Sequence, residues 1–338
     1  MDFINRLRPY IDTEDRAMQL FLLEVLRDYP CTPGEWGLRL AYNELRAGRI
    51  SEAAFDLENL QVSGESAAIL VRDIRENGLN EANAILIQQL PPEQALALRD
   101  ELSPYLSSGE WCFYELLQDG GREEVREAYY SCLEQLVLDF DFSLYQRAKK
   151  LAAVMAENGW LGEHELPAIL NVNLNSDWFS LDGILAVYMA GLLGKREYAG
   201  LIAGMLVREG EDLLMEEAAD CLVSFQDENT INAVLPYAEQ GNVYALSVLG
   251  EIKSAGAVRE LKALYRSVLP EERELVVEAL CRQLNPEAAE EIENAAGGGS
   301  EGLMVDLEMM LYGFYTVLGI EHPILEKWRS GVLLRGIQ

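Results

Sequence analysis

The sequence predicts an all-α protein built as an α-solenoid, a superhelical array of antiparallel helix pairs that follows an irregular N-terminal helical region. Apolar residues recur at i, i+3, i+4 and i+7, the spacing of one helix face, through most of the chain. No stretch shows the alternation typical of a strand or an Asn-Gly hairpin turn. Between Asp177 and Ala296 one unit repeats, namely an apolar-striped helix, a tight turn and a second striped helix.

The repeated segment contains four longer helices, each with one apolar face. Met189, Leu222, Leu249 and Leu280 are typical members of the four faces. A single helix pair of this length cannot bury its own apolar face, whereas neighbouring pairs stacked side by side can, and solenoids are stabilised in this way. We therefore expect Leu222 and Leu249 to be buried.

Small or polar residues end each long helix at comparable positions. The corner residues Leu193, Phe225, Ile252 and Leu284 are separated by steps of 32, 27 and 32 residues. This spacing is that of a repeat made of two short helices. The corner sequences are Leu193-Gly194, Phe225-Gln226-Asp227, Ile252-Lys253-Ser254 and Leu284-Asn285-Pro286.

The Leu-Gly-Lys corner at 193–195, the Ile-Lys-Ser corner at 252–254 and the repeat length resemble HEAT-like repeats of the short kind found in bilin-lyase-related proteins. The resemblance covers about residues 143–296. It implies a HEAT/armadillo-like solenoid and transfers no functional residue. An ordinary irregular helical domain is the alternative architecture.

In HEAT-like arrays the second helix of each pair lines the concave surface. The resemblance therefore implies that Tyr198, Tyr237 and Tyr265 lie near a groove and contact a partner protein. Tyr265 also belongs to the apolar stripe of its own helix, so a position in the core is the alternative for this residue.

The N-terminal region contains helices with local start and stop signals. Thr13 is the predicted N-cap of a helix that runs to about Tyr29, because a hydroxyl can accept a hydrogen bond from the first helical N–H groups. An amphipathic helix is predicted over Gly64–Asn77, where Gly78 ends it.

Glycine-rich breaks divide the chain into three predicted regions. The pair Gly120-Gly121 separates an irregular N-terminal helical region, residues 1–120, from the repeat array, residues 121–296. After a glycine-rich linker, residues 301–338 form a predicted helix pair that closes the end of the array. Trp328 either joins its closing face or remains exposed. The closing face consists of the apolar residues Met304, Leu307, Met310, Leu311 and Phe314.

Acidic residues dominate the composition, with 57 acidic against 27 basic residues and a formal net charge of −30. Nucleic-acid binding requires basic residues that neutralise phosphates, so we expect no direct binding to DNA or RNA. Anionic membrane surfaces are disfavoured for the same reason, and no segment has the pattern of a membrane span or a signal peptide. The five scattered cysteines form no C-x-x-C pair. We expect a cytoplasmic protein.

The negative charge is concentrated in one segment. From Glu209 to Ile252 there are ten acidic residues and no lysine or arginine. A field of this sign can attract a basic protein partner. Glu216, Glu217 and Asp220 are the predicted protein-binding residues of this segment, and a solvated face that maintains solubility is the alternative.

Three basic residues, Arg259, Lys262 and Arg266, share a helix face at i, i+3 and i+7. They could hold an acidic peptide or a phosphate. Ion pairing between repeats is the favoured interpretation, because glutamates follow at matching spacing on the next short helix. These glutamates are Glu287, Glu290 and Glu291.

No pattern of residues indicates a catalytic, metal or cofactor site. Histidine is limited to His164 and His322, which is too few for a histidine-rich metal cluster or a catalytic relay. Gly298–Gly302 matches G-x-S-x-G, but that motif operates in a strand-to-helix turn, and here a helix precedes it. Three of the cysteines occupy apolar helix positions, where buried, unreactive thiols are expected. A binding role is therefore favoured over catalysis.

The sequence thus predicts a cytoplasmic protein-interaction scaffold or adaptor that uses an acidic helical-repeat surface to bind a basic protein. The first alternative, implied by the resemblance, is a lyase-like or isomerase-like enzyme acting on a tetrapyrrole or another small ligand in the concave groove. The second alternative is an acidic mimic of nucleic acid that inhibits a basic DNA-binding protein.

Overall fold

The computed structural model describes residues 3–37, 39–40, 64–162, 164–269, 273–296 and 306–335. Every regular element in these ranges is helical, and none of the described residues forms a strand. The predicted all-α class is confirmed.

The helices are short, and most are joined by tight turns. Those that precede residue 194 are α1 (Phe3–Leu7), α2 (Arg16–Leu26), α3 (Gly64–Asn77), α4 (Glu81–Gln88), α5 (Pro92–Ala97), α6 (Arg99–Leu102), α7 (Ser108–Asp119), α8 (Arg122–Leu138), α9 (Phe142–Glu157), α10 (Glu165–Leu174) and α11 (Leu181–Leu192). Those that follow are α12 (Ala199–Ala203), α13 (Asp212–Phe225), α14 (Glu228–Ala238), α15 (Val243–Glu251), α16 (Ala255–Ser267), α17 (Arg273–Arg282), α18 (Ala289–Ala296), α19 (Leu307–Leu318) and α20 (Leu325–Arg335).

Contacts between residues divide the chain into two compact units. Unit 1 combines Met1–Thr32 with Gly194–Gln338, and unit 2 is Pro33–Leu193. The boundaries predicted at residues 120 and 296 were based on changes in the sequence pattern. They remain predictions.

The second half of unit 1 consists of two alternating sets of helices. In the first layer α13 packs on α15, α15 on α17 and α17 on α19. In the second layer α12 packs on α14, and α14 on α16. Leu222 and Leu249 are fully buried, as expected from their stripes. Within each set, a helix therefore packs on the next helix of the same set.

Two glutamines bind backbone carbonyl groups at the end of α15. Gln226 adopts a left-handed backbone with φ of 48° and donates from Nε2 to the carbonyl of Glu251 at 2.9 Å. Gln283 donates from Nε2 to the carbonyls of Leu249 and Ile252, at 2.7 and 2.9 Å. The last carbonyls of a helix have no partner inside the helix. These amides supply the partners and connect α15 to the turns that follow α13 and α17.

The N-terminal segment of unit 1 packs on its C-terminal helix pair. Helix α2 lies against α19 and α20. The ring of Phe21 approaches Gly313 so closely that a Cβ there would overlap it. Asp15, and not Thr13 as predicted, is the N-cap of α2, because its carboxylate accepts from the Ala17 N–H at 3.1 Å. Thr13 instead accepts from the Asp15 N–H.

The predicted closing face of the last helix pair is buried at every described position. Trp328 is also buried, at 3% exposure, so it joins this face. Met304 lies outside the described residues. The buried members of the face are Leu307, Met310, Leu311 and Phe314.

Ion pairs connect the second-layer helices of unit 1, as expected from the spacing of the basic and acidic residues in the sequence. Arg266 of α16 pairs with Glu291 of α18 at 2.5 Å, and Lys262 pairs with the same carboxylate at 3.2 Å. Arg259 instead pairs backwards with Glu228 of α14 at 3.0 Å. The basic residues of α16 are therefore compensated by carboxylates on both neighbouring helices.

Unit 2 has one core among α3–α7 and a second arrangement of longer helices. Ile74, Leu86, Leu102 and Trp111 belong to the first core. Helix α8 packs on α9, α9 on α11 and α10 on α11, while α7 contacts both α8 and α9. This arrangement brings the N-terminal ends of α7 and α9 to one cleft, described below.

Candidate functional site

The predicted acidic segment contains one exposed row of carboxylates. Helix α13 buries Leu214, Cys221 and Leu222 on one face. Asp212, Glu216 and Asp220 are four residues apart, lie on another face and are exposed. We call these three residues the acidic stripe. Like charges at i and i+4 on a helix repel each other, so the stripe concentrates negative charge at the expense of helix stability.

Tyr244 of α15 lies beside the acidic stripe. Burial raises the pKa of its phenol, and the charges of Glu216 and Asp212 raise it further. Val243, the preceding residue, exposes 47% of its surface. The stripe thus has an aromatic side chain beside it, of a residue type that is enriched at protein interfaces.

The predicted binding residues do not share one surface. Glu217 is only 4% exposed and Tyr265 only 7%, so neither side chain offers much area to a partner. Glu217 follows Leu214 by three residues and precedes Cys221 by four, so it falls on the same face of the helix as these two residues. This spacing could have indicated from the sequence that Glu217 is buried. Tyr265 packs under the guanidinium of Arg273, 5.0 Å from the ring centroid.

Tyr198 and Tyr237 are half-buried. Tyr198 ends a short 3-10 turn before α12, and Tyr237 belongs to α14, so both lie in the second layer. The acidic stripe lies in the first layer. The structure therefore separates the predicted tyrosines from the predicted carboxylates, and Tyr244, which the sequence analysis did not select, is the tyrosine next to the stripe.

A cluster of buried charges lies at the junction of α15, α17 and α2 in unit 1. The Arg282 guanidinium donates to Glu251 at 3.0 Å and to Glu278 at 2.9 Å, and it also pairs with Glu24. Glu251 is fully buried and Arg282 is 5% exposed. Burial alone would lower the pKa of Arg282, but the three carboxylates reverse the effect and raise it. The guanidinium is charged and compensated on several sides.

Lys253 completes this cluster. Its ammonium lies 3.1 Å from Glu251 and donates to the carbonyls of Gly250 and Arg282, at 2.8 and 3.0 Å. Burial lowers the pKa of Lys253 to about 8 although Glu251 acts in the opposite direction. A cation favours the C-terminal ends of helices. Lys253 therefore joins the ends of α15 and α17 through hydrogen bonds to one carbonyl of each.

A cleft in unit 2 lies between the end of α4 and the helices α7 and α9. Its volume is about 460 Å³. Arg147 and Lys150 of α9 face it together with the rings of Phe113 and Tyr114. Burial and the neighbouring Arg147 charge lower the pKa of Lys150 to about 8. We call this the α7–α9 cleft.

The turn between α8 and α9 carries exposed apolar side chains. Val137 and Leu138 at the end of α8 expose 76% and 87% of their surface, and Phe140 in the turn exposes 52%. Exposed apolar residues that are contiguous mark contact surfaces in many proteins. The turn is a second surface suited to contact with another molecule.

The cysteines and the residues around His164 have surroundings that give them a structural role. Burial raises the pKa of the Cys221 and Cys281 thiols, which disfavours the reactive thiolate. Glu165 beside His164 pairs with Arg126 at 2.8 Å. Gly298–Gly302 lies outside the described residues. Among those described, no group of three or more His, Cys, Asp or Glu is placed to hold a metal ion.

Within the described ranges, no helix combines the length and apolar character needed to cross a membrane. No protein-family model, curated protein or solved structure matches this chain.

Proposed function

We propose that unit 1 is a HEAT-like α-solenoid that acts as a protein-interaction scaffold, and that the acidic stripe on α13 binds a basic segment of a partner protein. The exposed row of Asp212, Glu216 and Asp220 carries this proposal. Repulsion within the row costs α13 about 0.2–0.5 kcal/mol per pair. A Lys/Arg-rich segment bound along the helix would convert this repulsion into attraction.

The packing of unit 1 supports the solenoid part of the proposal. First-layer helices contact the next first-layer helix, and second-layer helices contact the next second-layer helix, as in stacked repeats. The N-terminal segment covers α19 at the end of this series, where a solenoid requires a cap. The resemblance to HEAT-like repeats rests on the corner sequences and on the repeat length.

The surroundings of the stripe support a protein ligand. Tyr244 adds aromatic contact area beside the carboxylates, and tyrosine is frequent among interface residues that dominate affinity. The stripe lies in a segment that contains no lysine or arginine of its own.

The decisive experiment compares two triple variants of equal net charge. In the stripe variant, Asp212→Lys, Glu216→Lys and Asp220→Lys reverse three exposed carboxylates. The matched control reverses three exposed carboxylates of α8 by Glu123→Lys, Glu127→Lys and Glu134→Lys. Binding of a fluorescent Lys/Arg-rich peptide is measured by anisotropy at low and high salt, and proteins retained from a lysate are identified by mass spectrometry.

We expect the wild type and the α8 control to bind the peptide and to retain the same basic proteins, with release at high salt. The stripe variant should lose at least tenfold in affinity. If both variants lost the same affinity for the peptide, the loss would be caused by net charge alone, and the proposed site would be refuted. Displacement of the retained proteins by double-stranded DNA would identify them as DNA-binding proteins and favour a nucleic-acid mimic.

A further inference from the structure

The α7–α9 cleft of unit 2 has the size of a small-molecule site. Its volume of about 460 Å³ falls within the range of roughly 300–1,000 Å³ found for ligand pockets. Aromatic rings of α7 form one side, and the polar face of α9 forms another. It lies outside unit 1 and is independent of the acidic stripe.

Two cations of this acidic protein face the cleft. Arg147 and Lys150 lie one turn apart on α9. Within the part of the chain that the structure describes, neither forms an ion pair with a carboxylate. Other arginines of the protein do form such pairs, among them Arg126, Arg282 and Arg335. In a chain with 57 acidic and 27 basic residues, two adjacent uncompensated cations are unexpected.

The donors of both cations are held in position but are only partly used. The Arg147 guanidinium lies over the Phe113 ring, 4.8 Å from its centroid, and a cation–π contact of this kind fixes its plane. The Lys150 ammonium donates to the backbone carbonyl of Gln88. An ammonium has three donors and a guanidinium five, so both groups retain N–H donors for a ligand.

The two carboxylates that line the cleft serve the helix ends. Glu110 accepts from the Ser107 N–H at 2.6 Å and forms the capping box of α7. Asp141 accepts from the Leu144 N–H at 2.7 Å and caps α9. Carboxylates are stabilised at helix N-termini by the unpaired N–H groups and the helix dipole. Among the described residues, neither carboxylate forms an ion pair with Arg147 or Lys150.

We propose that the α7–α9 cleft binds the anionic group of a small molecule, a phosphate or a carboxylate, through Arg147 and Lys150. The guanidinium fork matches two oxygens of either group, and the ammonium adds a point charge from the same helix face. Tyr114 presents no competing negative charge, because burial raises the pKa of its phenol and its hydroxyl donates to the Ile87 carbonyl at 2.7 Å.

The test uses inorganic phosphate and malonate as separate probes, titrated into the full chain at constant ionic strength with chloride as the background anion. Binding is measured by calorimetry and by shifts of the Arg147 side-chain NMR signal. Arg147→Gln and Lys150→Gln each remove one cation from the cleft. Lys149→Gln is the matched control, because it removes the same charge from the same helix at a side chain that lies over the Tyr188 ring, 4.6 Å from its centroid.

We expect saturable binding of at least one probe, weakened about tenfold or more by Arg147→Gln and by Lys150→Gln and by less than about twofold by Lys149→Gln. Preference for phosphate or for malonate identifies the anionic group. Absence of saturable binding of both probes would overturn the proposal, and so would equal weakening by all three variants. Circular dichroism of each variant establishes that it is folded, and the wild-type titration tests the proposal independently of them.

Discussion

Two lysines of this protein share a pKa lowered to about 8, but their surroundings differ. Lys253 in unit 1 lines a smaller pocket of about 210 Å³, but it contacts two helix-end carbonyls and Glu251, and Arg282 beside it meets three carboxylates. Lys150 in unit 2 borders an open cleft beside Arg147, and no carboxylate pairs with either among the described residues. Burial is the leading cause of the lowered pKa in both.

The comparison shows that a perturbed pKa by itself does not distinguish a structural group from a binding group. Burial lowers the pKa of any lysine, whatever its purpose. The partners of the ammonium decide the role. When helix-end carbonyls and a carboxylate surround the ammonium, the lysine has a structural role, and when donors remain beside a cleft, they can bind a ligand.

The largest expected effect comes from breaking the compensated cluster. Glu251→Gln removes the fully buried carboxylate that faces both Arg282 and Lys253. Leaving buried charges without their partner typically costs about 3–5 kcal/mol. Urea unfolding at neutral pH should show a loss of this size.

The control for this change is Glu228→Gln. Glu228 pairs with Arg259, and both side chains are more than half exposed, at 53% and 64%. Water screens such pairs, so the free energy of unfolding should change little. A loss for Glu251→Gln no larger than for Glu228→Gln would mean that the cluster is not a stabilising unit.

A smaller effect is expected in the pH dependence of stability. The pKa of Lys253 is about 8 in the folded protein against 10.5 for an ordinary lysine. Below pH 8 both states are protonated, and the buried charge is unfavourable. Between pH 8 and 10.5 the unfolded state binds more protons, so the free energy of unfolding rises with pH.

Wild type should therefore gain about 1–3 kcal/mol relative to Lys253→Met between about pH 8 and pH 10. The measurement is a series of urea unfolding curves for both proteins. Using the difference between them removes the contribution of the tyrosines and cysteines that titrate in the same range. Parallel pH profiles for the two proteins would show that Lys253 does not deprotonate in the folded state.

The smallest effect on stability is expected at the cleft. Arg147→Gln and Lys150→Gln remove cations that compensate no buried carboxylate among the described residues. Each should change the free energy of unfolding by less than about 1 kcal/mol, as substitutions away from buried networks do. Thermal unfolding checks this result. If either variant lost as much stability as Glu251→Gln, Arg147 and Lys150 would be structural residues. The proposed difference between Lys150 and Lys253 would then be wrong.

Much of the local structure could be predicted from the sequence. Helix α3 spans Gly64–Asn77 as predicted, because Gly78 at φ of 80° provides a left-handed stop. The stripes that contain Leu222 and Leu249 are buried. These features depend on hydrogen bonds and side-chain spacing within a few residues. The cap of α2 was misplaced by two residues because Thr13 and Asp15 are both good caps.

The candidate sites were only partly accessible to the same reasoning. The spacing of four residues in the acidic stripe can be read from the sequence. The spacing of the apolar residues of α13 also indicates that Glu217 points inward. Tyr244 beside the stripe could not be identified, because it belongs to the next first-layer helix, α15. Arg147 and Lys150 gave no signal, since α9 alone does not show which residues of α4 and α7 face them.

The sequence by itself determined the helices, their apolar faces and the excess of negative charge. Only the tertiary structure decided which charges are compensated. Arg282 binds the backbone of Glu24 across 258 residues, Arg329 binds Asp15 across 314, and Lys150 meets the Gln88 carbonyl across 62. Helix formation depends on neighbours within one or two turns, whereas the energy of a charge depends on distance and burial in space, which the order of residues along the chain does not specify.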